Sequence, residues 1–224
     1  MPTPHSKLRD RLLDAYRPCV SFAGVCREMR WEPNAGHIPR GFCGATSRLE
    51  DVQLVLVVAE PGNPQPDEHH AASPNEAFQS AYDFAYASFR DGRDLFHRNI
   101  RHILDLCWPG DDFDAHMRRT WITESVLCSA RTEGGNVPKA IGMACRALYL
   151  EKQLELVPNA VVAALGSKAA NRLAGLTIVS AFAVAPPGCN FNGARESWQA
   201  IAVSYTHLRA HETKANLVCR LLLE

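Results

Sequence analysis

The chain has 224 residues, of which 46% are hydrophobic, and this is enough to fill the core of one globular domain. Its 24 Lys and Arg residues balance 24 Asp and Glu residues, so overall charge does not indicate nucleic-acid binding, although a local basic patch would be sufficient. No run of about eighteen apolar residues occurs, and the N-terminus lacks the apolar stretch of a signal peptide, so we expect a cytoplasmic protein without a membrane partner.

Residues 1–50 are expected to form an extension to the main domain. A short helix from Leu8 to Tyr16 is followed by an irregular segment rich in Gly, Pro and Cys. An irregular segment of this length is usually functional or held in place by something. The cysteines at positions 19, 26 and 43 offer a means of holding it.

The first clear strand is the apolar run from Gln53 to Val58. It leads into AEPGNPQPDEHH, where prolines and a glycine exclude both helix and strand. Ligands bind beyond the carboxyl ends of the strands in an open α/β sheet. This loop is therefore the first candidate site.

Two helices are predicted next, from Asn75 to Phe89 and from Asp94 to Cys107. Gly92 separates them, and the Asp94 side chain can cap the second. Four arginines of this region are candidates for a local basic patch, with an ordinary solvated surface as the alternative: Arg90, Arg93, Arg98 and Arg101.

The stretch from Trp121 to Gly166 has the order strand, loop, helix and strand, in the length that a right-handed parallel crossover needs. Pro138 suits the first turn of the helix. The run from Ala160 to Leu165 is apolar throughout, as expected for a strand that is buried on both faces.

The last predicted strand runs from Ile178 to Val184 and ends in a second Pro/Gly loop, APPGCNFNG. Strands and helices therefore alternate along the chain. This alternation predicts one α/β domain over residues 51–202, a three-layer α/β/α sandwich with a four-stranded, mainly parallel sheet.

Residues 203–224 resemble an in-frame translation of a sequencing adaptor, so we expect native sequence to end near Ile201. The alternative is a genuine basic helix. This tail contains three basic residues and two acidic ones, which leaves 24 − 3 = 21 basic against 24 − 2 = 22 acidic residues and a net charge of about −1 for the remainder.

Seven of the eight cysteines precede the tail. Without a secretion signal they are not expected to form a disulfide framework. They are predicted to be core residues, metal ligands or both.

Six features occur in a fixed order between about residues 53 and 190. They are the loop VVAEPG, Leu95-Phe96 followed by Ile103-Leu104-Asp105, the strand WITESVLC, the pair Cys128 and Cys145, the helix 150–158, and the strand and turn 161–169. This arrangement resembles the uracil-DNA glycosylase superfamily, most closely its iron–sulfur-containing branch.

The resemblance implies a monomeric, DNA-binding base-excision repair enzyme that hydrolyses the N-glycosidic bond of a flipped damaged or deaminated base. It implies that Phe96 stacks on the base and that Glu60 or Glu68 orients water or stabilises an oxocarbenium-like state. Asn190 would assist departure of the base. The remaining substrate contacts would come from Pro61, Gly62, Glu124 and Gly188.

Two departures from the family pattern concern the base. Glu124 replaces an Asn that reads the uracil edge, and Ala185 replaces the His of an HPS-like loop. An amide both donates and accepts, whereas a carboxylate only accepts unless it is protonated. Glu124 as a carboxylate would oppose O4 of uracil and favour an edge that presents donors.

The resemblance also implies a 4Fe–4S cluster, which needs four thiolates. Cys128 and Cys145 match the second cysteine pair of the branch. Cys19 and Cys26 are the candidates for the first pair, with Cys43 as a substitute. The alternative is a set of buried structural cysteines.

Two other functions stay open at the level of sequence. One is a catalytically inactive, nucleic-acid-binding relative with the same fold. The other is an α/β protein that binds a small molecule.

Overall fold

A five-stranded sheet forms the centre of the molecule in a computed structural model, which describes residues 2–17, 19–70 and 73–206. Its order is β1-β3-β2-β4-β5, with β1 antiparallel to β3 and every other pair parallel. A mixed α/β fold with a mainly parallel sheet is therefore confirmed. The strands are β1 Cys43–Gly44, β2 Leu54–Val58, β3 Thr120–Glu124, β4 Val161–Leu165 and β5 Val179–Ala181.

The sheet has one strand more than the four predicted. This extra strand, β1, lies in the N-terminal extension and pairs Cys43 with Ile122 at the edge of the sheet. Two residues are too few to show a strand periodicity, so the sequence pattern could not predict it. The extension is thus part of the same sheet as the domain that follows it.

The helices begin and end at signals that are visible in the sequence. Pro74 opens α2 and Gly92, with a φ of 62°, ends it, while the Asp94 side chain accepts a hydrogen bond from the amide of His97 at the start of α3. The helices are α1 Ser6–Leu12, α2 Pro74–Asp91, α3 Leu95–Cys107, α4 Phe113–Arg119, α5 Lys139–Cys145, α6 Glu151–Leu154, α7 Ser167–Arg172 and α8 at 194–206, with a π-helical turn Arg146–Leu150 between α5 and α6.

A buried polar contact fastens α6 to β3. Gln153 is fully buried, and its Oε1 accepts from Trp121 Nε1 and from Thr123 Oγ1, both at 2.9 Å. Its Nε2 donates to the carbonyl oxygen of Tyr149 at 3.1 Å. Because buried polar groups are costly without partners, these bonds fix how the helix lies on the sheet.

The first residues of the expected tail continue α8. The Tyr205 hydroxyl donates to Gln53 Oε1 at 2.6 Å and accepts from Trp108 Nε1 at 2.9 Å. Residues 207–224, the rest of that tail, lie outside the described residues. Within the described ranges, no helix has both the length and the apolar character that crossing a membrane requires.

A substitution at Gly44 can test how closely β1 packs against β3. A Cβ at Gly44 would lie 2.1 Å from the carbonyl oxygen of Thr120, whereas one at Gly110 would meet nothing within 4 Å; the φ angles are 99° and 87°. We expect Gly44→Ala to lower the free energy of unfolding by about 3 kcal/mol or more and Gly110→Ala by about 1 kcal/mol, since both have positive φ but only one has a clash. Urea denaturation measures both losses. Equal losses would contradict the close approach of the two strands.

Candidate functional site

Three glutamates with buried side chains lie beyond the carboxyl ends of two neighbouring strands. Glu124 is the last residue of β3 and is in register with Val58, the last residue of β2. Glu60 and Glu68 belong to the loop that follows β2, and both raise the pKa of Glu124 through their charge. The structure therefore brings these three predicted site residues together.

Glu60 is held by two cations of α7. Its Oε1 accepts from Lys168 Nζ, and its Oε2 lies close to Arg172 Nη2, both at 2.6 Å. Lys168 also donates to the carbonyl of Gly135 at 2.7 Å, and Arg172 to that of Ala59 at 2.9 Å. The Glu60 carboxylate is consequently fixed in position by charged partners.

Lys168 and Arg172 were not predicted as site residues. They lie four positions apart on the helix that follows β4, so they occupy one face of it. Their spacing, next to a strand end, was a usable signal in the sequence.

Glu68 has a full set of partners. Its Oε1 lies 3.2 Å from Arg40 Nε and 3.0 Å from His70 Nε2, and its Oε2 accepts from the amide of Gln65 at 3.0 Å. The other ring nitrogen of His70 lies 3.2 Å from Ser80 Oγ. Glu68 is therefore fixed in a buried network.

Arg40 connects this network to the N-terminal extension. It is buried, and its Nη1 donates to the carbonyl of Gly36 at 3.0 Å while its Nη2 donates to the carbonyl of Gly62. Sequence reasoning missed Arg40, because it lies in the irregular segment and nothing there indicates its partners. The extension thus supplies a charged residue of the site.

Glu124 differs from the other two glutamates. It is only 5% exposed, and within the described residues it has no ion pair. Its Oε2 is buried without a hydrogen-bond partner there, as is Oε2 of Glu60, but the latter lies 2.6 Å from Arg172 Nη2. A Cβ at Gly41 would lie 2.6 Å from Oε1, so the glycine allows the backbone to close over this side of the carboxyl group. Burial raises the pKa of Glu124 well above its ordinary range, and the nearby charges of Arg40 and Arg172 act against that rise. The neutral form of this carboxyl group is favoured.

The residues expected to hold the base lie on neighbouring elements. Phe96, on α3, is half-buried, with its ring centroid 5.8 Å from that of Phe89. The adjacent His97 lies within reach of the charge of Glu68. Asn99 Nδ2 donates to the carbonyl of Val184 at 2.7 Å, which brings α3 to the start of the loop after β5.

That loop carries Gly188 and Asn190 on a short 3-10 turn, Gly188–Asn190. Asn190 is exposed. Among the hydrogen bonds and ion pairs of the described residues, none joins Asn190 to the three glutamates. Its Oδ1 accepts from Cys189 Sγ at 3.5 Å, so Asn190 contacts its neighbour in the loop and has no hydrogen bond to the carboxyl cluster among the described residues.

Pro61 and Gly62 lie at the start of the loop after β2. Pro61 is buried, and the carbonyl of Gly62 accepts from Ser129 Oγ at 3.1 Å as well as from Arg40. A Cβ at Gly62 would lie 2.8 Å from Glu133 Oε1. The glycine at this position lets the loop lie close to the segment that follows β3.

The four cysteines expected to bind a cluster line one narrow apolar cavity. Cys19 and Cys26 enter it from the N-terminal extension, Cys128 from the loop after β3, and Cys145 from the end of α5. The substitute candidate Cys43 lies elsewhere, on β1, with its Sγ 3.5 Å from Met117 Sδ. The other lining residues are Ala15, Ser21, Met29, Val126, Leu127, Ile141, Leu148 and Tyr149.

The pKa values of the thiols in this cavity are raised by burial and by neighbouring thiols. Burial raises the pKa of Cys26 to about 11, with a further rise from Cys19, and burial raises the pKa of Cys145 to about 12. The amide of Leu127 lies 3.4 Å from Cys145 Sγ and donates to it. In the ranges that the structure describes, no three His, Cys, Asp or Glu side chains are grouped to hold a single metal ion. A four-iron cluster is bound by four cysteines around the whole cluster, so it does not require such a group.

The four arginines of the candidate basic patch all have partners within the protein. Arg90 pairs with Asp91 at 3.0 Å, and Arg93 pairs with Asp67. Two further arginines donate to backbone carbonyls at the end of α2: Arg98 to Gly92 and Arg101 to Arg90. Much of this cluster therefore serves to end a helix.

No protein-family model matches the chain, and the comparison with curated proteins finds no relative.

The buried Glu124 makes stability depend on pH. Burial raises the pKa of Glu124 in the folded state above its value in the unfolded chain, so the folded state binds this proton more tightly and the free energy of unfolding falls as the pH rises above about 4.5, the ordinary pKa of a glutamate. Glu124→Gln removes this loss. We expect the variant to gain at least about 1 kcal/mol on the wild type between pH 4 and pH 7, because one pKa unit corresponds to about 1.4 kcal/mol.

Urea denaturation at several pH values measures this difference. The exposed Glu50→Gln variant is the matched control and should follow the wild type. A difference between Glu124→Gln and the wild type that stays constant with pH would show that Glu124 ionises normally.

Proposed function

We propose that the chain is a DNA glycosylase of the uracil-DNA glycosylase superfamily and that it hydrolyses the N-glycosidic bond of a flipped damaged or deaminated base. One observation carries the proposal. The cysteines that the resemblance selects come from distant parts of the chain, and all four line the same cavity. Four buried structural cysteines would have no need to meet, whereas ligands of one cluster must.

The position of the glutamates supports the same proposal. Glu60, Glu68 and Glu124 lie at the carboxyl ends of β2 and β3, where open α/β sheets bind their ligands. The three-layer α/β/α arrangement that the resemblance implies would place helices on both sides of this edge. A base that leaves the duplex would then meet a preformed, charged site.

Each site residue has a role in this proposal. Phe96 stacks on the flipped base, and Asn190 donates a hydrogen bond to the base as it departs with the bonding electrons. The charge of Glu60 or Glu68 stabilises the oxocarbenium-like sugar or orients the attacking water. Their ion pairs hold both carboxylates in fixed directions, so little reorganisation would accompany the reaction.

The cysteine cavity suits a 4Fe–4S cluster. It supplies four thiols, apolar walls and an amide that donates to the sulfur of Cys145. Hydrolysis of a glycosidic bond transfers no electrons, so a bound cluster would serve as a cross-link. It would join the segment containing Cys19 and Cys26 to the domain at Cys128 and Cys145.

A specific observation favours a second candidate, a non-catalytic nucleic-acid-binding relative. Both carboxylates proposed to assist the reaction are paired with cations, Glu60 with Lys168 and Arg172 and Glu68 with Arg40, and in the described part of the chain no hydrogen bond joins Asn190 to them. A fold that has lost its chemistry would also retain such a network for stability. Measuring cleavage and binding separately distinguishes the two candidates.

The cofactor is tested by iron analysis and visible absorption of anaerobically purified protein. We expect wild-type protein to contain iron and to show the broad visible absorption of a 4Fe–4S cluster. Cys128→Ser and Cys145→Ser should lose most of both signals. The matched control is Cys107→Ser, because Cys107 is also buried but lies outside the cavity. Iron-free, colourless wild-type protein would contradict the cluster.

The activity is tested by single-turnover cleavage of oligonucleotides that contain uracil or hypoxanthine. We expect cleavage of at least one of them, and Asn190→Ala should slow it about 100-fold, the usual effect of removing one donor to a developing anion. Asn192→Ala, an exposed asparagine of the same loop, is the matched control and should keep the wild-type rate.

Two other results would assign a different function. Salt-dependent binding to an abasic oligonucleotide without any cleavage would support the non-catalytic relative. A lack of DNA affinity at every salt concentration would support a small-molecule-binding protein.

A further inference from the structure

The start of α3 brings an aspartate and a histidine into direct contact. Asp94 Oδ1 accepts from the amide of His97 at 3.0 Å and lies 2.7 Å from His97 Nδ1. Burial raises the pKa of Asp94, but the hydrogen bonds from His97 outweigh this effect and hold that pKa below its ordinary value. An ionised carboxylate next to a neutral imidazole keeps the ring hydrogen on the nitrogen that faces it. The lone pair of His97 is therefore on Nε2.

The Nε2 atom of His97 is in contact with solvent. The side chain is 14% exposed. Within the described residues Nε2 makes no hydrogen bond, and it is not one of the buried polar atoms that lack a partner. The ring packs edge-on against Phe89 and Phe96, with centroid distances of 4.7 and 5.1 Å, so its orientation is fixed.

This pair of residues lies beside the loop that follows β2. Arg93, which precedes the pair in the chain, forms an ion pair with Asp67 of that loop. The next residue of the loop, Glu68, is near enough for its charge to act on His97. Phe96, which would stack on the flipped base, is the chain neighbour of His97. The exposed nitrogen thus lies at the edge of the sheet where the proposed site is.

The glutamates of this edge are less suited to take a proton from water. Both oxygens of Glu60 lie next to cations, and both oxygens of Glu68 have partners. The unpartnered Oε2 of Glu124 is fully buried. A general base needs a free lone pair within reach of the water that it activates. His97 Nε2 meets both requirements.

We propose that His97, held by Asp94, is the general base that activates the attacking water in the proposed hydrolysis. Its Nε2 takes a proton from the water, and the water oxygen forms a bond to C1′ of the sugar. The bond between C1′ and the nitrogen of the base breaks, and its electron pair leaves with the base. The departing anion takes a proton from solvent, and the imidazolium of His97 returns one to solvent.

Asp94 is a positioning residue in this scheme. It keeps the lone pair on Nε2, stays ionised and stabilises the imidazolium that forms. The inference rests on the proposed function and assigns one of its steps. Water activation falls to His97, and stabilisation of the positively charged sugar is left to Glu60 and Glu68.

The pH dependence of the reaction follows from the groups around His97. Burial lowers the pKa of His97 below its ordinary value of 6.5, with a further decrease from Arg93, whereas Asp94 and Glu68 act in the opposite direction. A general base works only when it is unprotonated. We therefore expect the cleavage rate to be constant near pH 7 and to fall as the pH is lowered through a midpoint below 6.5.

The test is single-turnover cleavage of the uracil or hypoxanthine oligonucleotide between pH 5 and pH 8. We expect His97→Gln to be about 100-fold slower at pH 7, within the usual contribution of a general base, and to lose the fall at acid pH. Asp94→Asn can still cap the helix but lacks the charge that raises the pKa of His97, so its midpoint should move to lower pH. His102→Gln, half-buried on the same helix, is the matched control and should equal the wild type.

A second measurement does not depend on DNA. Nitrogen-15 NMR of the histidine rings at pH 8 should show the hydrogen of His97 on Nδ1 and the lone pair on Nε2. In Asp94→Asn the two tautomers should both be populated. The opposite tautomer in the wild type would overturn the inference, because Nε2 would then have no lone pair to accept a proton.

The failure of this inference differs from that of the proposed function. A wild-type rate and pH profile in His97→Gln would overturn the inference and leave the proposed function intact. Should that variant not fold, an unmoved midpoint in Asp94→Asn would overturn it instead. If the wild type cleaves no oligonucleotide at any pH, the proposed function fails, and the role of His97 fails with it.

Discussion

The buried ion pair between Arg40 and Glu68 is the contact on which the arrangement of the site depends. One partner comes from the N-terminal extension and the other from the loop after β2, and the arginine also binds carbonyls on both sides. Removal of either partner would leave an uncompensated charge in a buried place, which is strongly unfavourable. The extension and the α/β domain are therefore one structural unit.

Charge pairing also determines the chemistry that is available. Two of the three glutamates at the sheet edge are neutralised by cations, and the third is not. Carboxyl groups of one chemical type thus differ in their electrostatic state because their surroundings differ: two form ion pairs, and burial raises the pKa of the third. Mutation of Arg172 would alter the surroundings of two of them, Glu60, with which it forms an ion pair, and Glu124, whose pKa its charge lowers.

Apolar runs were sufficient to predict β2 and β4, because a parallel strand that is buried on both faces is apolar throughout. The strand β3 was predicted from a short β-prone run, and β5 occupies only Val179–Ala181 of the apolar run that predicted it. The two residues of β1 are too short for such a pattern. The cysteine set was obtained from a family resemblance, and spacing alone would have left Cys43 as an equal candidate. The contacts of Arg40 and the raised pKa of Glu124 could not be predicted, because both depend on burial and on partners contributed by segments that are remote in sequence.

The carbonyl of Gly62 accepts hydrogen bonds from two directions, from Arg40 of the extension and from Ser129 of the segment after β3. Ser129 is next to Cys128, so this single carbonyl lies between the cysteine cavity and the carboxyl cluster. The amides around it should exchange with solvent only when both places open together. The cavity and the cluster are therefore expected to unfold together as one cooperative unit. Oxidation of the cavity thiols would then also loosen the loops at the carboxyl ends of β2 and β3.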